Sequence, residues 1–320
     1  MSIYRKGEDI RMNHKQDYLA TTRIIDTMGV GIPLALVIRE VLINAIEACA
    51  RNTDEPINEI YIMKDHIYPN KLSVINVGGD YLSEEIFTNH LATLGSSGNS
   101  IIASNGDAVL DDNKGVGAKI AALPQMKQGL VYRSKKAEDS DGIRSRMWKD
   151  PERNVYTLPS EYCAFIEEYT SFPVHLDFSP YLDGHTGTEV VCMGNSQDED
   201  TWHTLDRTCG IRKGGSDGGT GYGIFKYCNH RLFDKPATKT NVAIYDKTTG
   251  QSRWAAVEGL KSIMQNRCKL YGSFPMTVEG LGVTAHYGVL YDQGDLKENG
   301  TSGYVSNWAS YGFTGFAWKG

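Results

Sequence analysis

The chain has 320 residues, a length that suggests about two domains. An apolar content of 40% is sufficient for globular cores, and a net charge of −6 argues against a dedicated nucleic-acid binder. No run of about 18 or more apolar residues occurs, so no membrane span is expected. Six scattered cysteines without a CxxC pair, and an N-terminus without the apolar core of a signal peptide, predict a cytoplasmic protein in a reducing compartment.

Residue periodicity predicts alternating helices and strands along the chain. Apolar residues at steps of three and four predict helices, and β-branched runs bounded by turn residues predict strands. The predicted helices are His14–Thr27, Pro33–Arg51, Tyr81–Leu94 with Ser83 as its N-cap, a short helix after Gly115, and Arg253–Arg267. The predicted strands are Asn58–Met63, Lys71–Val77, Gly129–Ser134, Arg144–Trp148, Val174–Phe178, Thr188–Met193 and Gly223–Tyr227.

The Pro33–Arg51 helix carries a second, polar face. Glu40, Asn44, Glu47 and Arg51 follow one another at steps of three or four residues, so they lie along one side of the helix. Asn is a poor helix former, and its position beside a broad apolar stripe suggests a helix that packs on a sheet and offers polar groups to a ligand. The alternatives are a solvated glutamate, an asparagine bonded to backbone, and an ion pair between Glu47 and Arg51.

Glycines cluster at two later places. Asn76–Asp80 (NVGGD) ends an apolar strand, and Gly115–Lys119 (GVGAK) opens a helix after the Gly95–Lys114 stretch, which has no periodicity. A loop of that length in a compact domain is usually functional or disordered. A lone GxG is weak evidence of phosphate binding, so the order and spacing of the segments carry the interpretation.

The polar helix face and the two glycine segments, in this order, resemble the GHKL ATPase superfamily of DNA gyrase B, Hsp90, histidine kinases, MutL and MORC proteins. Glu40–Ala48 (EVLINAIEA) resembles its N-box, and Gly187–Val191 (GTEVV) resembles a later Gly-Thr strand. The resemblance covers about residues 15–195 and is nearest to the Hsp90-like and MORC-like members. It implies an α/β fold of the Bergerat type, an α+β sandwich with a mixed sheet and helices on one face.

The resemblance implies roles at the phosphate end of an ATP site. Glu40 would activate water, Asn44 would hold Mg²⁺ through its amide oxygen, and Glu47 would assist through water. The glycine loop would bind the phosphates with backbone N–H groups and one cation. Its residues are Gly115, Val116, Gly117, Ala118 and Lys119. The 95–117 segment would be a lid, in which Ser96 and Ser97 contact phosphate; a plain loop is the alternative.

At the base end the resemblance implies contacts to adenine. Gly78 and Gly79 would let the backbone approach the ring, and Thr188 would support base recognition through its hydroxyl. The chain departs from the family pattern at two positions: Asn76 replaces the family's aspartate, and Asp80 stands where its second glycine would fall. An amide oxygen still accepts a hydrogen bond but carries no charge, so these positions bear on which purine is recognised.

The second half of the chain predicts a second domain. A composition change near Asn195–Thr201 divides an ATP-binding domain, 1–195, from a domain at 196–320 that need not be complete. Gly223–Phe233 resembles the strand–turn–strand that begins the transducer, or ribosomal S5-like, domain of gyrase and its relatives. In those proteins a basic residue of this domain reaches the γ-phosphate, and Lys213 and Lys239 are the candidates.

We therefore expect Mg²⁺-dependent ATP binding and slow hydrolysis that drive lid closure and homodimerisation, with ADP as product. A macromolecular client or DNA is a further candidate partner, and a membrane is not expected as one. A histidine-kinase-type phosphotransferase is one alternative, although the transducer-like segment argues against it. A non-catalytic module that is switched by nucleotide is the other.

Overall fold

The structure is a computed structural model that describes residues 10–11, 18–52, 56–83, 117–138, 142–150, 154–158, 177–210, 219–278 and 280–289. The helices are α1 (Tyr18–Gly29), α2 (Leu36–Arg51), α3 (Gly117–Ala122), α4 (Thr201–Cys209), α5 (Tyr222–Arg231) and α6 (Leu260–Arg267). The strands are β1 (Ile10–Arg11), β2 (Glu59–Lys64), β3 (Leu72–Val77), β4 (Leu130–Lys135), β5 (Ile143–Asp150), β6 (Val155–Leu158), β7 (Gly187–Cys192), β8 (Lys239–Asp246), β9 (Gln251–Ala256), β10 (Leu270–Val278) and β11 (Leu281–Val289).

Nine of these strands form one mixed sheet. Their order is β1-β6-β5-β4-β7-β3-β2-β8-β9, and β10 and β11 form a separate two-stranded sheet. Neighbouring strands are antiparallel except for β2 and β8, which are parallel. The predicted combination of helices with a mixed sheet is thereby confirmed at the level of fold class.

Strand β3 lies at the centre of the core. All six of its residues are buried, so both faces of the sheet are covered at this strand. Successive side chains of a strand point to opposite faces. Helix α2 packs on the face that carries Leu72, Val74 and Asn76, with its apolar stripe turned to the core. The buried stripe consists of Val37, Ile38, Val41, Leu42, Ala45, Ala48 and Cys49.

The opposite face of the sheet also has an apolar cluster. Ile75 and Val77 of β3 pack against Leu182, with Tyr61 and Phe178 partly buried around them. We call the α2 side the helix-side face and this side the far face. Because side chains alternate along β3 and β7, successive residues of each strand lie on opposite faces of the sheet.

Most strand predictions in the first two hundred residues are confirmed. Strands β2, β3, β4, β5 and β7 lie within one residue of their predicted bounds at all but one strand end, and the turn at Tyr68–Asn70 is present. Helix α2 begins at Leu36 rather than at Pro33, because residues 33–35 form tight turns whose carbonyls accept from Leu36 and Val37. Of the predicted strand 174–178, the described residues Asp177 and Phe178 lie outside any strand.

Two predictions for the second half are wrong. Tyr222–Arg231 is helix α5, where a strand and turn were predicted. The Asp206 carboxylate of α4 accepts from the N–H groups of Gly221 and Ile224, at 3.0 and 2.9 Å, and so caps this helix from outside its own segment. The predicted helix 253–267 divides into strand β9 and the shorter helix α6.

Contacts divide the chain into two compact units. One comprises Met1–Lys226 with Thr238–Ala256, and the other comprises Tyr227–Ala237 with Val257–Gly320. Strands β8 and β9 thus belong to the unit with the nine-stranded sheet, whereas α6, β10 and β11 belong to the second unit. The domain boundary after residue 195 rests on composition and stays a prediction. Among the described helices, none has the length and apolar character needed to cross a membrane.

Candidate functional site

Four polar residues meet on the helix-side face at the end of β3. Asn76 and Thr188 are register partners in the β3–β7 pair. Thr188 Oγ1 lies 2.7 Å from Ser134 Oγ of β4, and it also donates to the Asp80 carbonyl at 3.4 Å. Asn76 Nδ2 donates to the same carbonyl at 3.4 Å. The structure thus brings together three residues predicted for base recognition, Asn76, Asp80 and Thr188, and adds Ser134.

The turn after β3 is fixed against the C-terminal end of α2. Gly78 has a φ of 80°, and a side chain there would collide with the Ile57 carbonyl, so this position requires glycine. Asp80 N donates to the Ala48 carbonyl at 2.9 Å, and Asn52 Nδ2 donates to the Gly79 carbonyl at 3.2 Å. These bonds place the Asp80 carbonyl where Asn76 and Thr188 reach it.

The Asp80 side chain has a different partner from its backbone. Arg51 Nε, in the last turn of α2, donates to Asp80 Oδ2 at 3.0 Å. This ion pair accounts for Arg51, which the sequence placed on the polar face of the helix. An Asp80 carboxylate held by Arg51 is not the group that faces Asn76 and Thr188; its carbonyl is.

Glu40 lies where α2 meets the start of α3. Its side chain is 15% exposed and pairs with Arg39 at 2.5 Å. A side chain at Gly117 would collide with the Glu40 carboxylate, so the absence of a Cβ at Gly117 permits the contact between the two segments. The predicted catalytic carboxylate and the predicted phosphate loop are therefore neighbours in space, although about 77 residues separate them in sequence.

The other polar residues of α2 follow Glu40 along the helix. Asn44 is exposed and Glu47 is half-buried, and both make polar contacts within the protein. Asn44 lies one turn after Glu40, as the spacing predicts. The exposed amide of Asn44 is compatible with a bound cation, because Mg²⁺ takes oxygen ligands and keeps several waters.

Lys119 is buried in α3, and Ala118 beside it is half-buried. Desolvation lowers the pKa of the Lys119 ammonium to about 7. The side chain is therefore close to half-protonated at neutral pH. A negatively charged ligand nearby would favour its protonated form.

Lys239 lies away from this group of residues. It begins β8, two strands from β3, and its Nζ pairs with Glu59 Oε1 at 2.7 Å. Glu59 and Lys239 are register partners, and both lie on the far face rather than with Asn76. Five further predicted residues lie outside the described residues: Ser96, Ser97, Gly115, Val116 and Lys213.

The far face carries a buried charged cluster that sequence reasoning missed. Arg133 Nη1 bridges Asp65 Oδ1 at 2.8 Å and Glu189 Oε2 at 2.9 Å, and these three side chains have no exposed area. Ser73 Oγ donates to Glu189 Oε1 at 2.7 Å. Burial raises the pKa of Glu189, against the opposing effect of the Arg133 charge. Alternation along β7 could have placed Glu189 opposite Thr188, but its partners could not be found from spacing.

A metal ion is a poor fit to this cluster. Ligand atoms of Asp65, His66 and Glu189 lie within 4.8 Å of one another. Arg133 already occupies the space between the two carboxylates. A guanidinium that neutralises both carboxylates leaves a cation little to gain.

Compared with models of protein families and with curated proteins, the chain matches none.

Proposed function

We propose that this chain binds ATP with Mg²⁺ and hydrolyses it slowly, as GHKL ATPases with a Bergerat fold do. The observation that carries the proposal is the arrangement around α2. Glu40 near its start contacts the glycine segment at Gly117, and the Gly78–Asp80 turn is fixed at its other end. The two glycine segments, which are distant in sequence, thus lie along the helix that carries Glu40 and Asn44, and all three are predicted to bind one ligand.

The base would lie at the Asn76 end of this arrangement. Asn76 Nδ2 is engaged by the Asp80 carbonyl, so its amide oxygen remains as an acceptor for the exocyclic amine of adenine. Thr188, bonded to the Ser134 hydroxyl, donates to the same Asp80 carbonyl and so lies beside the Asn76 amide. Because the Asn76 acceptor is uncharged, base recognition here relies on hydrogen bonds and on close approach of the turn.

The phosphates would lie near Glu40 and the start of α3. Glu40 is held on a helix, partly shielded, and would orient the attacking water. Asn44 would hold Mg²⁺, which when bound neutralises phosphate charge. Lys119 would be protonated on phosphate binding and would offset developing negative charge. Lys213 remains the candidate for a second cation, whereas Lys239 lies on the far face and pairs with Glu59.

Lid closure by residues 95–117 and homodimerisation complete the proposed cycle, by analogy with Hsp90-like and MORC-like ATPases. Two alternatives differ in the fate of phosphate. A histidine-kinase-type enzyme would retain it on protein, and a non-catalytic module would bind ATP without turnover.

Replacing Glu40 by glutamine tests the proposal. Glu40→Gln should reduce ATP hydrolysis by about 100-fold or more, because general-base catalysis contributes about that much, whereas ATP affinity should change by less than about threefold. Phosphate release and equilibrium binding of labelled ATP with Mg²⁺ measure the two effects. Glu138→Gln, at an exposed glutamate, is the matched control and should change neither.

Three results would contradict the proposal. Unchanged hydrolysis in Glu40→Gln would remove the assigned role of this carboxylate. Stable transfer of labelled phosphate to protein would favour the kinase. Absence of nucleotide binding at millimolar ATP and Mg²⁺ would exclude both the ATPase and the nucleotide-switched module.

A further inference from the structure

The hairpin β10–β11 has an unusual composition for an exposed element. Each strand has nine residues, LYGSFPMTV and LGVTAHYGV, and neither contains Asp, Glu, Lys or Arg. Exposed strands are normally protected from association by charged side chains. Pro275 in β10 is one protective residue, but it lies on the opposite side from the large apolar side chains described next.

One face of this hairpin is apolar along its whole length. Alternation in the two strands places the large apolar residues on the same face, where they form cross-strand pairs such as Leu270 with Val289 and Met276 with Val283. We call this the hairpin face. Its exposed members, each 40–53% exposed, are Leu270, Phe274, Met276, Val278, Val283, Tyr287 and Val289.

The other face carries no large aliphatic side chain, and among the described residues its supporting contacts lie at the base of the hairpin. Tyr271 OH lies 2.6 Å from His286 Nδ1, and the His286 ring contacts Phe233 at 4.8 Å between centroids. Gly288 packs against Cys268 at the end of α6. Residues further along both strands are exposed, so within the described chain the ribbon extends beyond its support.

An isolated two-stranded ribbon is marginally stable in water, and an exposed contiguous apolar patch usually marks an interaction site. The hairpin face also has the composition of an interface core, with Phe, Met and Tyr present and charges absent. A surface that packs on the hairpin face must therefore be apolar and uncharged.

We propose that the hairpin face packs against the same face of a second copy of this chain. A face without charges meets its own copy without like-charge repulsion, and a two-fold contact uses one patch twice. Two such ribbons can stack at the sheet-packing distance of about 10 Å, as the faces of a β-sandwich do.

The size of the face predicts the strength of the contact. Nine residues per strand give a ribbon about 30 Å long and about 10 Å wide, so two copies would bury roughly 600–1,000 Å², below the ~1,200 Å² of standard specific interfaces and in the range of weak contacts. We therefore expect a dimer that depends on protein concentration and forms without nucleotide. The formation of this dimer does not depend on the proposed ATPase activity.

The test is sedimentation velocity of the full chain over a range of protein concentration, with and without ATP and Mg²⁺. The wild-type chain should dimerise in both conditions. Phe274→Lys combined with Met276→Lys should weaken the dimer by about 100-fold or more, because the two-fold contact loses both anchors on both copies. Ser273→Lys combined with Thr277→Lys adds the same charge to the other face of β10 and should leave the dimer within about threefold.

Circular dichroism and thermal unfolding of both double variants establish that the chain remains folded. A wild-type chain that stays monomeric at about 100 μM would overturn the inference, as would a dimer that survives Phe274→Lys with Met276→Lys in a folded protein. A dimer that appears only with ATP would assign the contact to nucleotide-driven closure and would equally overturn it.

Discussion

Thr188 and Glu189 are neighbours in β7, yet their side chains lie in two different environments. Thr188, on the helix-side face, makes neutral hydroxyl bonds, of which the one to Asp80 is long at 3.4 Å. Glu189, on the far face, is fully buried and receives charged and hydroxyl donors at 2.9 and 2.7 Å. The comparison teaches that one strand can carry neutral hydrogen-bonding groups on one side and buried, oppositely charged groups in contact on the other.

This difference has a physical basis. A buried charge is tolerated only with a partner, whereas a neutral hydroxyl or amide can keep a long bond and still be available to a ligand. We therefore expect substitutions of buried charged groups to change the stability of the protein and substitutions around Asn76 and Thr188 to change ligand binding. Three predictions test this division.

The largest effect is expected for Arg133→Met. Removal of the guanidinium leaves the buried carboxylates of Asp65 and Glu189 without compensation, so the free energy of unfolding should fall by about 3–5 kcal/mol. Urea unfolding measures the loss. Arg144→Met is the matched control, because Arg144 is the cross-strand partner of Arg133 and stacks on Phe178 at 4.2 Å. Arg144→Met should lower the free energy of unfolding by about 1 kcal/mol or less. Equal losses in the two variants would mean that the buried ionic cluster stabilises the protein no more than the Arg144–Phe178 contact does.

A second test concerns Lys119, a cation buried on the helix side. Its pKa is lowered from 10.5 to about 7, so the cost of burying its charge is fully present below pH about 7 and disappears as pH rises toward 10.5. Lys119→Met should therefore be more stable than wild type at pH 6–7, by on the order of 1–3 kcal/mol, and the difference should vanish near pH 10.

The exposed Lys127 supplies the control for this pH dependence. Lys127→Met should shift the unfolding free energy little and equally at all pH values, because its ammonium is solvated. A Lys119→Met difference that is constant with pH would show that packing, rather than the cost of charge burial, explains the change.

The smallest effect on stability, with a clear effect on binding, is expected for Thr188→Val. Loss of the hydroxyl bond to Ser134 should cost about 1 kcal/mol, and ATP affinity should fall by about tenfold if this group supports the base. Thr240→Val, at another buried threonine of the same sheet, should cost similar stability without a change in affinity. Equal ATP affinities in the two variants would show that Thr188 has no role in base recognition.

The sequence predicted elements whose periodicity is local. Helix α2 and strands β3 and β7 follow from apolar spacing, and the meeting of Asn76 with Thr188 follows from the family resemblance once the strands pair. The bond between Asp80 and Arg51 could not be predicted, because it depends on how the turn after β3 lies against α2.

The misassigned elements depend on distant partners. Tyr222–Arg231 is helical, and its first turn is capped by Asp206, which belongs to another helix. The Arg133 cluster joins residues 56 and 68 positions apart. Neither arrangement has a local pattern, since each depends on tertiary packing that brings separate segments together.

The pairing of β2 with β8 has consequences for synthesis and for truncation of the chain. Glu59 and Lys239 are 180 positions apart, yet they are partners in the parallel pair that extends the sheet. A polypeptide that stops at residue 195 would leave the backbone N–H and C=O groups along one side of β2 unpaired and open to association. During synthesis, the edge of β2 stays unpaired until β8 has emerged from the ribosome. Expression of shorter pieces should therefore favour aggregation over the native sheet.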